Sequence, residues 1–338
     1  MRLALLALLA PTTLAAQTLV STVPSNRTGI LEEFTAVNCP ICPQGHTIAA
    51  NLLAANPNDF IVVGVHGGGL SVPSGNQPDF RTSWGTSLWS HFAVPGQPLG
   101  LMNRTAFGGQ LVLGRSVWSN ALNAALATPA PVNIGAATQF DEGTRTLTVD
   151  VEVYYTAAGS GANDHLSVLL TESDIIGFQA SGGANYAHQH VLRTFLSPLW
   201  GDELMSDAPG ALEQRTYTFT VPASWNIANC HVVAFVGEYQ GEVYNAVELV
   251  ANNGATGVPD EANTQGLLVY PQPATDRLYV EATGTGPVPY AINDLNGREV
   301  VAASTSNTGA LSIDVSVLSN GIYLLRLQGR TQRFVVAR

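Results

Sequence analysis

The chain has 338 residues, with 25 acidic side chains against 14 basic ones and a net charge of -11 at neutral pH. All 14 basic residues are arginine, so a lysine base, a Schiff-base lysine and the lysine of a phosphate-binding loop are excluded together. The acidic balance, with its arginines dispersed, disfavours nonspecific binding to nucleic acid or to an anionic membrane.

Residues 1–16 read as an export signal. Met1-Arg2 supplies a short positive start, Leu3 to Ala10 an apolar run, and Leu14-Ala15-Ala16 a small-residue exit before Gln17. The run falls short of the roughly 20 apolar residues a spanning helix needs. The length that remains predicts two or three domains.

Residues 29–37, "GILEEFTAV", predict a strand that ends just before the pair Cys39 and Cys42. Helical spacing follows from about Thr47 to Ala55 and stops at Asn56-Pro57, and "FIVVGVHG" reads as a buried parallel strand. This βαβ order places Cys39 at a strand end near a helix N-terminus. A Gly- and Pro-rich loop at 67–78 leads to a helical stretch, "DFRTSWGTSLWSHF", and then to the turn "AVPGQPLGLMNR". A strand and a helix from about Ser116 to Ala127 close this α/β unit at 17–128, and Thr128-Pro129-Ala130-Pro131 reads as a linker.

From Val132 the period becomes two. "VNIGAATQFDEGTRTLTVDVEVYYTA" predicts a hairpin around Asp141-Glu142-Gly143-Thr144, and further alternating runs complete an all-β sandwich over 132–252 with a long excursion at 175–214. Tyr186, Phe195 and Trp200 in that excursion are either ligand contacts or anchors to their own domain. Residues 253–266 read as a second linker. The short strands of 267–338, with turns at Asn296-Gly297 and Asn320-Gly321, predict a small Ig-like β-sandwich.

The Cys39–Cys42 spacing serves three chemistries. Thiol–disulfide exchange needs an attacking thiolate, which the positive end of the following helix favours at Cys39, and a shielded resolving thiol at Cys42. Glu33, six residues before Cys39, is placed to move the proton of the resolving thiol if burial raises its pKa, whereas Glu32 points the other way and is expected in solvent. A metal reading uses Cys39, Cys42 and His46 but lacks a fourth ligand in the sequence. His66, His91, His188 and His190 have no spacing that assembles them, although His188 and His190 would share one face of a strand. The third reading is a structural disulfide. Cys230 alternates with valines in "CHVVAFV" and reads as a buried apolar residue. No metal or cofactor is expected, and no GxSxG, HExxH, P-loop or dinucleotide motif occurs.

These residues resemble known patterns. "ILEEFTAVNCPICPQG" is similar to the first strand and active-site turn of the thioredoxin fold. That resemblance implies Cys39 as attacking cysteine, Cys42 as resolving cysteine and Glu33 at the position of the family's buried aspartate. "GQPLG" resembles the segment carrying the family's cis-proline, which implies Pro98, with Pro95 as the other candidate. Pro40-Ile41 between the cysteines, Asn38 where a tryptophan is common and the lack of lysine depart from the pattern and argue against efficient thioredoxin-like reduction.

The segments "LEEFTAVNCPICPQG", "VPGQPLGLMNR", "HQHVLRTFLSPLWGDEL" and "VVAFVGEYQGEVYNAVEL" together resemble the Omp28-related outer membrane proteins of Bacteroidetes-type bacteria. In the tail, "LLVYPQPATDRLYVE", "YAINDLNGREV" and "VSVLSNGIYLLRL" resemble the C-terminal sorting domain of the type IX secretion system. The resemblances imply a protein that passes through the periplasm and is secreted or attached at the outer membrane surface, with the type IX machinery as partner of residues 267–338. Further partners would be a protein thiol or disulfide, or a surface protein or glycan bound noncatalytically by the β-sandwich. Outside the cell no ready supply of reducing power exists, so oxidase or isomerase chemistry is expected over reduction.

Overall fold

Two adjacent strands carry no exposed residue at all. β1 (Gly29–Thr35) and β2 (Phe60–His66) are buried along their whole lengths and pair in parallel from Gly29↔Phe60 to Thr35↔His66. Between them runs α1 (Cys42–Ala55), with Pro43 in its first turn, where no intrahelical N–H bond is lost. It ends at Asn56, one residue before Pro57. The structure, a computed structural model, describes residues 19–160, 164–256, 269–270, 274–281, 286–293, 299–307, 310–327 and 330–336. The expected export signal, the Pro271-Gln272-Pro273 stretch and the Asn296-Gly297 turn lie outside them.

The α/β region continues with α2 (Ser83–His91), β3 (Leu99–Met102), β4 (Leu113–Gly114) and α3 (Trp118–Leu126). The hydroxyl of Thr82 caps α2 by accepting from the Gly85 N–H at 2.9 Å. Strand order is β2-β1-β3-β4, with β3 antiparallel to both neighbours. This is the thioredoxin-like arrangement of a βαβ unit followed by a ββα unit.

Alternation along β1 sends Leu31 to a cluster with Ala49 of α1 and Trp118 and Leu122 of α3. It sends Ile30 and Phe34 to the opposite face, against Leu88 at α2 and residues of the second half of the chain. β1 is therefore covered on both sides.

The second half comprises β5 (Val132–Asp141), β6 (Thr146–Tyr155), β7 (Asp164–Glu172), β8 (Ile175–Gln179), β9 (Gly183–His188), β10 (Val191–Phe195), β11 (Asp202–Glu203), β12 (Leu212–Thr220), β13 (Cys230–Glu238), β14 (Val243–Val250) and β15 (Ala255–Thr256). One sheet, β12-β6-β5-β15, is separate. The other, β14-β13-β7-β10, does not stop at its edge, because β10 pairs with β2 at Val191↔Gly64 and joins the sheet of the first half.

Leu166, Val168, Leu170, Val232, Ala234 and Val236 point between the two sheets, while Leu169, Val233 and Phe235 point toward α2. At 128–131 the chain passes from α3 into β5. Of the described residues, those up to 256 form one compact unit and those from 269 onward another. Residues 255–256 of the expected linker pair with β5 through Ala255↔Ala137.

The C-terminal unit holds β16 (Val269–Tyr270), β17 (Arg277–Glu281), β18 (Gly286–Asn293), β19 (Glu299–Asn307), β20 (Ala310–Asp314), β21 (Gly321–Leu327) and β22 (Arg330–Val336). They form the sheets β16-β17-β20 and β19-β18-β21-β22. Leu278, Val280, Ile292, Ile313, Leu325 and Phe334 fill the core between them, as in a small Ig-like sandwich. Tyr323 is buried there, and its hydroxyl donates to the Ser319 carbonyl at 2.9 Å.

Candidate functional site

The turn after β1 is drawn tight by its own backbone. Cys39 N–H donates to the Ala36 carbonyl at 3.1 Å, and Asn38 N–H to the Leu70 carbonyl at 3.1 Å. Cys39 and Cys42 form a disulfide with Cα atoms 5.4 Å apart, and Cys42 opens α1. The predicted start of that helix, near Thr47, thus moves back to the cysteine itself. The Gln97–Pro98 peptide is cis, and the Gln97 carbonyl oxygen lies 3.9 Å from Cys39 Sγ. Of the two prolines considered, Pro98 is the one at this position; Pro95 is exposed and its peptide is trans.

Glu33 extends from β1 beneath the first turn of α1. A side chain at Gly45 would bring its Cβ to 2.5 Å from Glu33 Oε1 and 2.9 Å from Pro98 Cβ, so the missing side chain is what lets Glu33 and Pro98 approach the helix. Cys42 and Gly45 are three residues apart and share that face of α1. Glu33 is buried, its Oε1 has no hydrogen-bond partner, and burial pushes its pKa up to about 8. It is therefore a carboxylic acid, with a proton to give, at neutral pH.

Glu32 does point the other way, as the alternation requires, but it does not reach solvent. The α2 side of β1 is covered as well, and Glu32 is buried in a two-point ion pair with Arg104, both bonds at 2.7 Å. The guanidinium in turn lies 5.3 Å from the Phe92 ring centre and 5.1 Å from that of Phe235.

The excursion at 175–214 folds back over the cysteine turn. β8 and β9 form a two-stranded ribbon that joins neither large sheet. Gln179 is fully buried, and its amide donates to the carbonyls of Ala36 at 3.1 Å and Cys39 at 3.0 Å. Ala180 N–H donates to the Val37 carbonyl at 2.8 Å. With the ribbon in place Cys39 is 1% exposed and Cys42 0%. Tyr186 of β9 reaches His46 of α1, with its hydroxyl 2.8 Å from Nδ1. Of the other aromatic residues of the excursion, Phe195 is buried in the core, and Trp200 packs against it and the His91 ring. All three act as anchors.

Behind Glu33 lies a cavity of about 210 Å³, walled by α1, β1 at Glu33 and Thr35, β2 at Val62, Gly64 and His66, and by Tyr186 and residues 188–190. Folding brings His46, His66, His188 and His190 to it, which no spacing in the sequence disclosed; His91 stays apart. β9 ends at His188 and His190 has a left-handed φ of 52°, so these two do not share a strand face as expected, yet both line the cavity. Burial lowers the pKa values of His46, His188 and His190 to about 4, with His188 adding to the effect on His46, so the rings are neutral.

Both nitrogens of His46 are engaged, Nε2 with Thr35 Oγ1 at 2.7 Å and Nδ1 with Tyr186. With the cysteines joined to each other, the set Cys39, Cys42 and His46 is not a metal site. Among the described residues no group of three or more His, Cys, Asp or Glu is arranged to hold a metal ion. Cys230 is buried and unpaired between the sheets, its thiol pushed up to about 12 mainly by burial.

Residues 86–254 match the family model of outer membrane protein Omp28. The chain belongs to the Omp28 family. Residues 268–337 match the secretion system C-terminal sorting domain, and the two matches together give this Omp28-family chain an outer-membrane, cell-surface or secreted location. Among solved structures it is similar to HBP35 of Porphyromonas gingivalis, with 20% identity over 93% of this chain and 99% of that one and a TM-score of 0.57, which is a likeness of fold. A domain of the outer membrane lipoprotein Omp28 from Porphyromonas gingivalis is 26% identical over 36% of this chain and 89% of that chain, with a TM-score of 0.28. No curated protein matches.

Proposed function

We propose that this Omp28-family protein carries a thiol–disulfide exchange site of the oxidase or isomerase type on the outside of the cell. Cys39 is the sulfur attacked, Cys42 the leaving and resolving sulfur, Glu33 its proton donor and Pro98 the shaper of the partner groove. The observation that carries this reading is Glu33. A carboxyl group buried without a partner is costly, and a purely structural disulfide has no use for one.

In the forward step a thiolate of a protein dithiol attacks Cys39 Sγ, forming a mixed disulfide while the Cys39–Cys42 bond breaks. Cys42 leaves as a thiolate and takes the proton of Glu33. The second thiolate of the partner then attacks the partner's own sulfur in the mixed disulfide and expels Cys39 as a thiolate, which takes a proton from water, so the partner leaves oxidised and the pair remains as a dithiol. An isomerase cycle restores the pair by running these steps backward on another bond of the same partner. An oxidase cycle restores it with a low-molecular-weight disulfide.

Residues 268–337 serve in this reading as the address recognised by the type IX secretion machinery. The burial of both sulfurs supports a second reading, a structural clip on a noncatalytic surface binding protein. The reduction potential of the Cys39–Cys42 pair, equilibrated against glutathione and dithiothreitol with thiol trapping, separates the two. A value above roughly -230 mV supports exchange, and one below about -300 mV marks a clip and ends the proposal.

A further inference from the structure

Proton supply poses a problem that the cysteine pair and Glu33 leave open. Once Glu33 has protonated Cys42 it is a carboxylate with 2% of its surface exposed, and it must regain a proton before it can act again. On one side Gly45 of α1 and Pro98 crowd against it. Its other side faces the cavity, where the ring of His46 places Nε2 at 4.0 Å from Oε1. Resting on the exchange reading above, we infer that His46 and Tyr186 are the proton relay of this site, carrying protons between solvent and Glu33 through the cavity.

The geometry supplies each link. His46 has a polar partner on either nitrogen, which is what a relay needs, since an imidazole can take a proton at one nitrogen as it gives one from the other. Nδ1 meets the hydroxyl of Tyr186, a half-buried residue on a ribbon whose outer positions Gly183, Ala184 and Asn185 are exposed, so the chain ends at the surface. The 4.0 Å step to Glu33 is wider than a hydrogen bond, and the cavity is large enough for a bridging water beside Glu33, Thr35 and His46, whose polar atoms line it there. The proton on Nε2 passes to the Thr35 hydroxyl, which hands its own through the bridging water to the Glu33 carboxylate, while Nδ1 takes the hydroxyl proton of Tyr186 and the phenol is refilled from water. One proton moves from solvent to Glu33 and no charge is left on the ring.

The groups facing His46 do not compete with this path. Glu33 approaches it from β1, His66 from β2, and Tyr186 and His188 from β9, with His190 on the same cavity wall. All three of the other imidazoles are held neutral by burial, and the Nε2 of His188 is occupied by the Phe178 carbonyl at 3.2 Å. His46 is thus the one imidazole among them with both a route to Glu33 and a partner leading outward. Tyr186 belongs to the ribbon inserted between β7 and β10, so the site is incomplete without the second half of the chain.

Two measurements on the full-length protein test this. A pH jump from 6 to 9.5 with infrared detection follows loss of the Glu33 carboxylic C=O band, which is assigned by its absence in Glu33→Gln. In His46→Gln, which keeps hydrogen-bonding groups in place but cannot carry a proton, and in Tyr186→Phe, which keeps the ring, loss of the band is expected to slow by at least about tenfold. Rates equal to or faster than the parent, with melting temperatures showing both variants folded, overturn the relay. Single-turnover oxidation of a model peptide dithiol is read in parallel. Failure of the parent protein there sinks the exchange reading whatever the infrared rates are, and success with unchanged infrared rates sinks the relay alone.

Discussion

Replacing Glu33 by glutamine gives a prediction whose size follows from where the carboxyl sits. The unfolded chain loses this proton near the ordinary value of 4.5, while the folded chain holds it to about 8 because the charged form would be buried without a partner. Between those values the folded state binds more protons, so this group's contribution to stability is whole below 4.5 and is lost as pH rises to about 8. An interval of about 3.5 pH units at about 1.4 kcal/mol each amounts to about 5 kcal/mol. Glu33→Gln removes the titration and leaves the cavity histidines as they are, so their own pH dependence cancels in the difference between the two proteins. All five tryptophans, at 84, 89, 118, 200 and 225, precede residue 258, and their fluorescence during urea unfolding reports the unit that contains the site. The stability of Glu33→Gln minus that of the parent is expected to climb steadily between pH 5 and 8 and then level off. A difference that stays flat over that range would refute the claim that Glu33 is held protonated, and with it the proton donor of the proposed exchange.

Further tests address access, packing and the cysteine outside the site. Gln179→Ala removes two hydrogen bonds that tie the ribbon over Cys39, at about 1 kcal/mol each, so dithiothreitol should reduce the disulfide roughly tenfold faster or more; an unchanged rate means the ribbon does not govern access. Gly45→Ala forces a methyl group against Glu33 and Pro98 and is expected to cost about 1–3 kcal/mol in urea unfolding. Arg104→Met leaves Glu32 buried without a partner and should cost about 3–5 kcal/mol, much of which the double substitution with Glu32→Met recovers; additive losses would contradict the ion-pair account. Cys230 should resist maleimide in the native protein and react in urea, as seen by mass spectrometry.

The parts of this site that lie within one stretch of chain could be read from sequence. The apolar runs of β1 and β2, the helix between them and the position of Cys39 between strand and helix follow from local periodicity, though the helix begins at Cys42 and not near Thr47, and Pro98 followed from the likeness of its turn to a known segment. Alternation also put Glu32 and Glu33 on opposite faces. What it could not say is that both faces are covered, because Phe235, near Arg104, comes from a strand some 200 residues onward. The same limit hid the shared sheet. β10 meets β2 through a single pair, Val191↔Gly64, and nothing in "VLRTF" distinguishes an edge strand from one that bridges two layers. Tyr186, Gln179 and the four cavity histidines were out of reach for that reason: each is ordinary in its own neighbourhood and acquires a role only when the ribbon lands on the cysteine turn.

The interval between that turn and its cover also orders events in time. Gln179 is 140 residues from Cys39, and Tyr186 is 140 from His46. A chain made from its N-terminus therefore displays its cysteine pair long before the ribbon that buries it exists. During that interval any thiol or disulfide nearby can set the oxidation state of the pair. Afterwards the ribbon must lift for the state to change, so the closed protein keeps a memory of the surroundings in which it matured.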